Sequence, residues 1–158
     1  MIAVMELKDQ LVETWRINDR LNRYLLDEVG ADRLTTQIPK GKAVESQFAH
    51  IHSVRLMWLK VAAPESLEHV TKLEKGAIGI DLLRSSLEES GEAIAKLIEA
   101  SVESGGRVKG FKPHVTGFVG YLIGHESNHR GQIELGLRQA GVPLSDKVGF
   151  GLWEWGVR

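Results

Sequence analysis

His125-Glu126-Ser127-Asn128-His129-Arg130-Gly131-Gln132 places two histidines four residues apart. On a helix that spacing sets them one above the other on a single face, a ready clamp for a metal ion. Working outward, the stretch is bracketed by Pro113 and by Ala140-Gly141. Proline suits a first helical turn and glycine follows a last one, so a helix is predicted over about 113–140 with the clamp near its middle. Phe118, Leu122, His125, His129 and Ile133 fall within a sector of roughly 80°, which puts the histidines on the line of the apolar core.

Three further segments carry the same period, and the prolines lie at or beyond their ends. The first is expected over about 5–29, with Leu7, Leu11, Trp15, Leu21 and Leu25 on one stripe and Gly30 as its stop. The second is expected over about 42–62, ended by Ala63-Pro64, and the third over about 78–102, with Leu83, Leu87, Ile94 and Ile98 inward and Gly105-Gly106 beyond it. Four helices of similar length in one chain of 158 residues imply a single all-α domain, a four-helix bundle spanning 1–158.

Composition excludes several function classes. Twenty basic against 21 acidic residues, scattered along the chain, leave no electrostatic footprint for nucleic acid. No stretch approaches the ~20 apolar residues of a membrane span, so no membrane partner and a cytoplasmic protein are expected. With no cysteine, thiolate zinc sites and a cysteine nucleophile are excluded, and His, Asp and Glu remain as strong ligands.

A bundle places metal between facing helices, so the clamp needs a third ligand from another segment. His50 and His52 are the candidates; they sit about 200° apart on a helix and cannot both face one site. His50 shares its side with Val54, Met57, Trp58 and Val61, whereas His52 sides with Phe48, Leu56, Leu59 and the charged Arg55, a slight lean to His50. Gln132 lies close to the direction of His125, while Glu126 is turned about 100° away, so Gln132 is the better pocket candidate. Asn18 and Asn22 interrupt an apolar stripe and are expected to need buried partners, such as the second nitrogen of a ligand histidine. Gly131 and Arg130 are expected to serve packing and a surface or interhelical charge pair, with no chemistry of their own. Gly117, Gly120, Gly124 and Gly131 share a strip roughly 60° wide, off the histidine face, which predicts close packing within the bundle or across a two-fold dimer interface.

The run His125 to Gln132 with its continuation Ile133-Glu134-Leu135-Gly136-Leu137-Arg138-Gln139-Ala140-Gly141-Val142-Pro143 resembles the last helix of the DinB/YfiT-like family. Gln47-Phe48-Ala49-His50-Ile51-His52-Ser53-Val54-Arg55 with Trp58-Leu59 is similar to that family's second helix. The resemblance implies an up-down-down-up four-helix bundle, commonly a homodimer, with a three-histidine divalent metal site at one end. It assigns His50, His125 and His129 as ligands and His52 as none. Nickel or zinc is the ion it implies first, with iron or manganese as alternatives. Asn128 stands where the family usually has another histidine. Better characterised relatives are thiol-dependent transferases and isomerases, which implies a metal-dependent enzyme acting on an unidentified small molecule, either an S-transferase or isomerase with a low-molecular-weight thiol as cosubstrate or, more broadly, a metal-dependent transferase or hydrolase.

Two other functions compete. His125-Glu126-x-x-His129 is also the zinc-peptidase signature, with Glu126 as general base and Glu154 as a distant third ligand, although no strand precedes it to bind a peptide edge. A non-enzymatic metal-binding or stress-response protein is the other. The aromatic tail over 141–158 is expected to fold back, with Trp153 and Trp155 aimed at one side if it is extended, over the core, a dimer contact or the metal pocket.

Overall fold

A computed structural model of the chain describes residues 4–158, so residues 1–3 of the expected domain lie outside the described residues. Four long helices carry the fold: α1 (Leu7–Leu34), α2 (Val44–Ala62), α3 (Ile80–Glu103) and α4 (Val115–Gln139), with a 3-10 helix at Pro64–His69 and a short α5 at Asp146–Gly151. Gly30 does break the first helix, at φ 68° and ψ 169°, a conformation that only glycine adopts without strain. One more helical turn follows it, to Leu34, carrying that apolar residue into the core. Helix α4 starts later than Pro113 suggests. His114 is its N-cap, with its Nδ1 accepting a hydrogen bond from the Gly117 amide at 3.0 Å.

The apolar interior divides into two clusters. One holds Leu21, Leu25 and Leu26 of α1, Val44, Phe48 and Ile51 of α2, Leu83 and Leu87 of α3, and Ile133 and Leu137 of α4. The other holds Trp15, Leu59, Ile94, Ile98, Phe118 and Leu122. Between them, every long helix contributes buried polar groups: Asn18, Asp19 and Asn22, then His52 and Arg55, then Ser86 and Ser90, then Glu126 and Arg130. Burying such groups is tolerable when they satisfy one another, as all of these but the unpartnered Ser86 hydroxyl do, and this ties the four helices together at this level. Leu7 falls outside the interior, 66% exposed.

The tail folds back, but as α5 and turns rather than as an extended strand. Val148 and Leu152 are buried in the first cluster and Trp155 packs against it, whereas Trp153 is 83% exposed. Beyond α5 the chain runs through tight turns, with the Trp155 amide donating to the Trp153 carbonyl at 2.9 Å, and the two tryptophans do not share a side. The glycine strip does not pack within the bundle: a Cβ added at Gly120, Gly124 or Gly131 would meet nothing within 4 Å, and at Gly117 it would meet only Pro113 and His114. Close approach occurs instead at Gly91, where a Cβ would overlap the Asp19 carboxylate of α1, and at Gly136, where it would come within 2.7 Å of Ile38 in the connector between α1 and α2.

Candidate metal centre

Helices α2 and α4 bring His50, His125 and His129 together, with one nitrogen from each ring within 4.8 Å of the others. The ring centroids are 5.3 Å apart for His50 and His125, 4.7 Å for His50 and His129, and 4.6 Å for His125 and His129. The Nε2 atoms of His125 and His129 are 3.1 Å apart. Two nitrogens on one ion, each about 2.1 Å from it, sit roughly 3.0–3.4 Å from each other in octahedral or tetrahedral geometry, so this pair matches a shared ion.

The donor set fits a cation in a further respect. Burial, then the neighbouring His125 and His50, pushes the His129 pKa down to about 4, and burial followed by His125 and Lys42 lowers that of His50. Both rings are therefore neutral near pH 7 and keep the lone pair a metal needs. Nδ1 of His125, the nitrogen turned away from His129, is buried without a hydrogen-bond partner. Three neutral ligands leave the charge of a divalent ion uncompensated and coordination positions open.

The triad is half-buried to exposed rather than interior. It lies in the groove between α2 and α4, level with the polar layer and not at an end of the bundle. Val115, Val119 and Leu137 are buried along with Phe118, Leu122 and Ile133, which moves the centre of the buried face about 80° from His125 and close to Glu126. The histidines occupy the edge of that face.

Glu126 is accordingly the hub of the buried layer. Its Oε1 accepts from Arg55 Nε at 2.7 Å, and its Oε2 from Arg55 Nη2 at 2.9 Å, Asn18 Nδ2 at 2.7 Å and Asn22 Nδ2 at 2.6 Å. Arg55 Nη1 donates to Asp19 Oδ1 and to the Leu87 carbonyl, both at 2.8 Å. Burial opposes its charge, but Glu126 and Asp19 outweigh that cost and hold the guanidinium pKa above the ordinary arginine value. Arg130 Nη1 donates to the Asn18 and Asn22 side-chain oxygens at 2.9 and 2.6 Å, and burial pushes its pKa down to about 10.

Asn18 and Asn22 thus have the buried partners expected of them, but those partners are Glu126 and Arg130, not a histidine. Arg130 is a buried interhelical donor, as one of its two expected roles has it, but to the neutral amides of Asn18 and Asn22. Gln132 is exposed and reaches the triad indirectly: its Oε1 accepts from Gln47 Nε2 at 3.3 Å, while Gln47 Oε1 lies 2.6 Å from His129 Nδ1. Gln47 went unrecognised as a neighbour of the site. One turn before His50 and Ile51 on α2, it had a detectable signal in its helical spacing. His52 faces the other way, buried, with Nδ1 3.0 Å from Ser90 Oγ and Nε2 2.7 Å from the Thr71 carbonyl.

A zinc peptidase needs a carboxylate free to activate water and a third ligand from Glu154. Glu126 is 1% exposed and fully engaged with Arg55, Asn18 and Asn22, and Glu154 pairs with Arg158 at 3.2 Å in the tail. Among the described residues the only β pairing is the isolated bridge between Gln37 and Ala43.

No helix among the described residues is long and apolar enough to cross a membrane. No curated protein sequence and no solved structure matches the chain. The family model of the DinB family matches residues 4–147, covering all four long helices and every residue of the triad and the polar layer. The chain belongs to the DinB family.

Proposed function

We propose that this protein binds one divalent ion, nickel or zinc, through His50, His125 and His129 and uses it as a thiol-dependent S-transferase or isomerase on a small molecule, with a low-molecular-weight thiol as cosubstrate. The convergence of three imidazole nitrogens from two helices, two of them 3.1 Å apart, carries this reading. An ion there would supply Lewis acidity and lower the pKa of a bound water or thiol. Around it, His50 stands exposed, His125 and His129 are half-buried, and Tyr121 stacks beside His125 at 6.5 Å. The absence of cysteine is consistent with a thiol brought by the cosubstrate.

The up-down-down-up course belongs to the same proposal. It is supported by the order of the two apolar clusters, which α1 and α4 meet in one sense and α2 and α3 in the other. Lys8 pairing with Glu103 and Arg84 with Asp27 supports antiparallel α1 and α3. Glu45 at the start of α2 accepting from the Ile78 and Gly79 amides at the start of α3 supports a parallel pair there. A cytoplasmic homodimer is also proposed, supported by the open glycine strip of α4 with Tyr121 and Leu135 exposed beside it.

Metal content by plasma mass spectrometry on tag-free protein, grown with balanced nickel, zinc, iron and manganese, tests the site. Near-stoichiometric metal in the wild type and in His52→Ala, lost in His50→Ala, is expected. Metal retained in His50→Ala, or absent from all three proteins, would overturn it.

A further inference from the structure

We infer that Gln47, oriented by Gln132, is a positioning residue that holds His129 as the Nδ1–H tautomer, so that Nε2 is the nitrogen offered to the metal. This rests on the three-histidine reading and adds what selects the ligating atom.

The side-chain oxygen of an amide can only accept. Gln47 Oε1 is 2.6 Å from His129 Nδ1, so a proton belongs on that nitrogen, and in a neutral ring the lone pair is then on Nε2. That Nε2 faces His125 Nε2 at 3.1 Å, on the side where the three rings converge. Gln47 on its own could turn its amide and present Nε2 instead of Oε1, which would reverse the tautomer and direct an N–H at the would-be ion. Its Nε2 donates to Gln132 Oε1 at 3.3 Å, and this second contact biases the amide toward the productive orientation.

The chain Gln132 to Gln47 to His129 crosses from α4 to α2 and back to α4, so it also fixes how the two ligand-bearing helices meet at this level. Among the triad, His129 alone has an amide partner of this kind: Nδ1 of His125 has none. Ligand histidines held through their second nitrogen bind more tightly because ring orientation and basicity are set before the ion arrives, an effect of about 10–100-fold on affinity.

The test uses the full chain, wild type beside Gln47→Met, which keeps length but cannot accept this bond, and Gln47→Glu, which accepts only. Long-range nitrogen–proton NMR of the metal-free proteins at pH 7.5 reads the His129 tautomer, and competition titration with zinc reads affinity. The expected result is Nδ1–H in the wild type and in Gln47→Glu, loss of that preference in Gln47→Met, and zinc binding weakened about 10–100-fold in Gln47→Met but not in Gln47→Glu. Gln132→Ala should show a smaller loss of the same kind. An Nε2–H tautomer in the wild type, or zinc affinity in Gln47→Met equal to wild type, would overturn the inference. If the wild type binds no zinc or nickel, the metal reading falls, and the tautomer measured without metal still decides whether Gln47 controls His129.

Discussion

Glu126 and Arg55 form a two-point ion pair at 2.7 and 2.9 Å with side chains 1% and 0% exposed, directly beside the half-buried His125. The glutamate of the histidine motif therefore anchors α4 to α1 and α2, and the histidines on either side of it are presented to the groove by that anchorage.

Breaking this pair from one side leaves a buried charge without a partner. Glu126→Ala or Arg55→Met is expected to destabilise the protein by about 3–5 kcal/mol in urea unfolding, with much less than the summed loss in the double variant. Additive losses would mean that the two groups act independently.

Acid should loosen the metal-free protein through its histidines. The folded-state pKa of His129 is about 4 against an ordinary 6.5, so the unfolded chain binds the extra proton first. Its contribution to stability is complete above pH 6.5 and is lost as pH falls toward about 4. His50 and His52, both lowered chiefly by burial, act in the same sense. Unfolding measured across this window should show a shallower slope in His129→Ala than in the wild type; identical slopes would contradict the assignment.

Two glycines in helices should respond oppositely to alanine. Gly91→Ala pushes a methyl into Asp19, itself fixed by Arg55 and Arg23, and should cost about 1–3 kcal/mol. Within one chain Gly124→Ala meets nothing within 4 Å and should stabilise the monomer by about 0.5–1 kcal/mol through helix propensity. If the open strip of α4 faces a second copy, Gly124→Leu should shift sedimentation toward monomer; unchanged self-association would remove the strip from the interface.

In the tail, burial separates neighbouring residues. Leu152→Ala should cost about 2–5 kcal/mol, since its side chain completes the first apolar cluster, whereas Trp153→Ala should stay within about 0.5 kcal/mol. Equal effects on thermal unfolding would show that the tail packs differently. Neither change should reduce metal content.

The helical class, the approximate extents of the four long helices and the pair His125 and His129 are legible in the amino-acid order, because they depend on local periodicity and on where glycine and proline interrupt it. Resemblance adds His50, and Asn18 and Asn22 stand out as polar residues needing partners. What those partners are emerges from the packing of the helices. The rotation of α4 about its axis is set by the summed burial of Val115, Val119, Ile133 and Leu137 against three other helices, and it turns Glu126 and Arg130 inward and leaves the histidines at the groove edge. Arg55 in α2 and Asp19 in α1 are separated by 36 positions and meet only because both helices pack at the polar layer. Gln47 comes to His129 in the same way, across 82 positions. Such pairings follow from how whole helices dock, where many apolar contacts outweigh any single polar preference, and no local pattern in one helix carries that information.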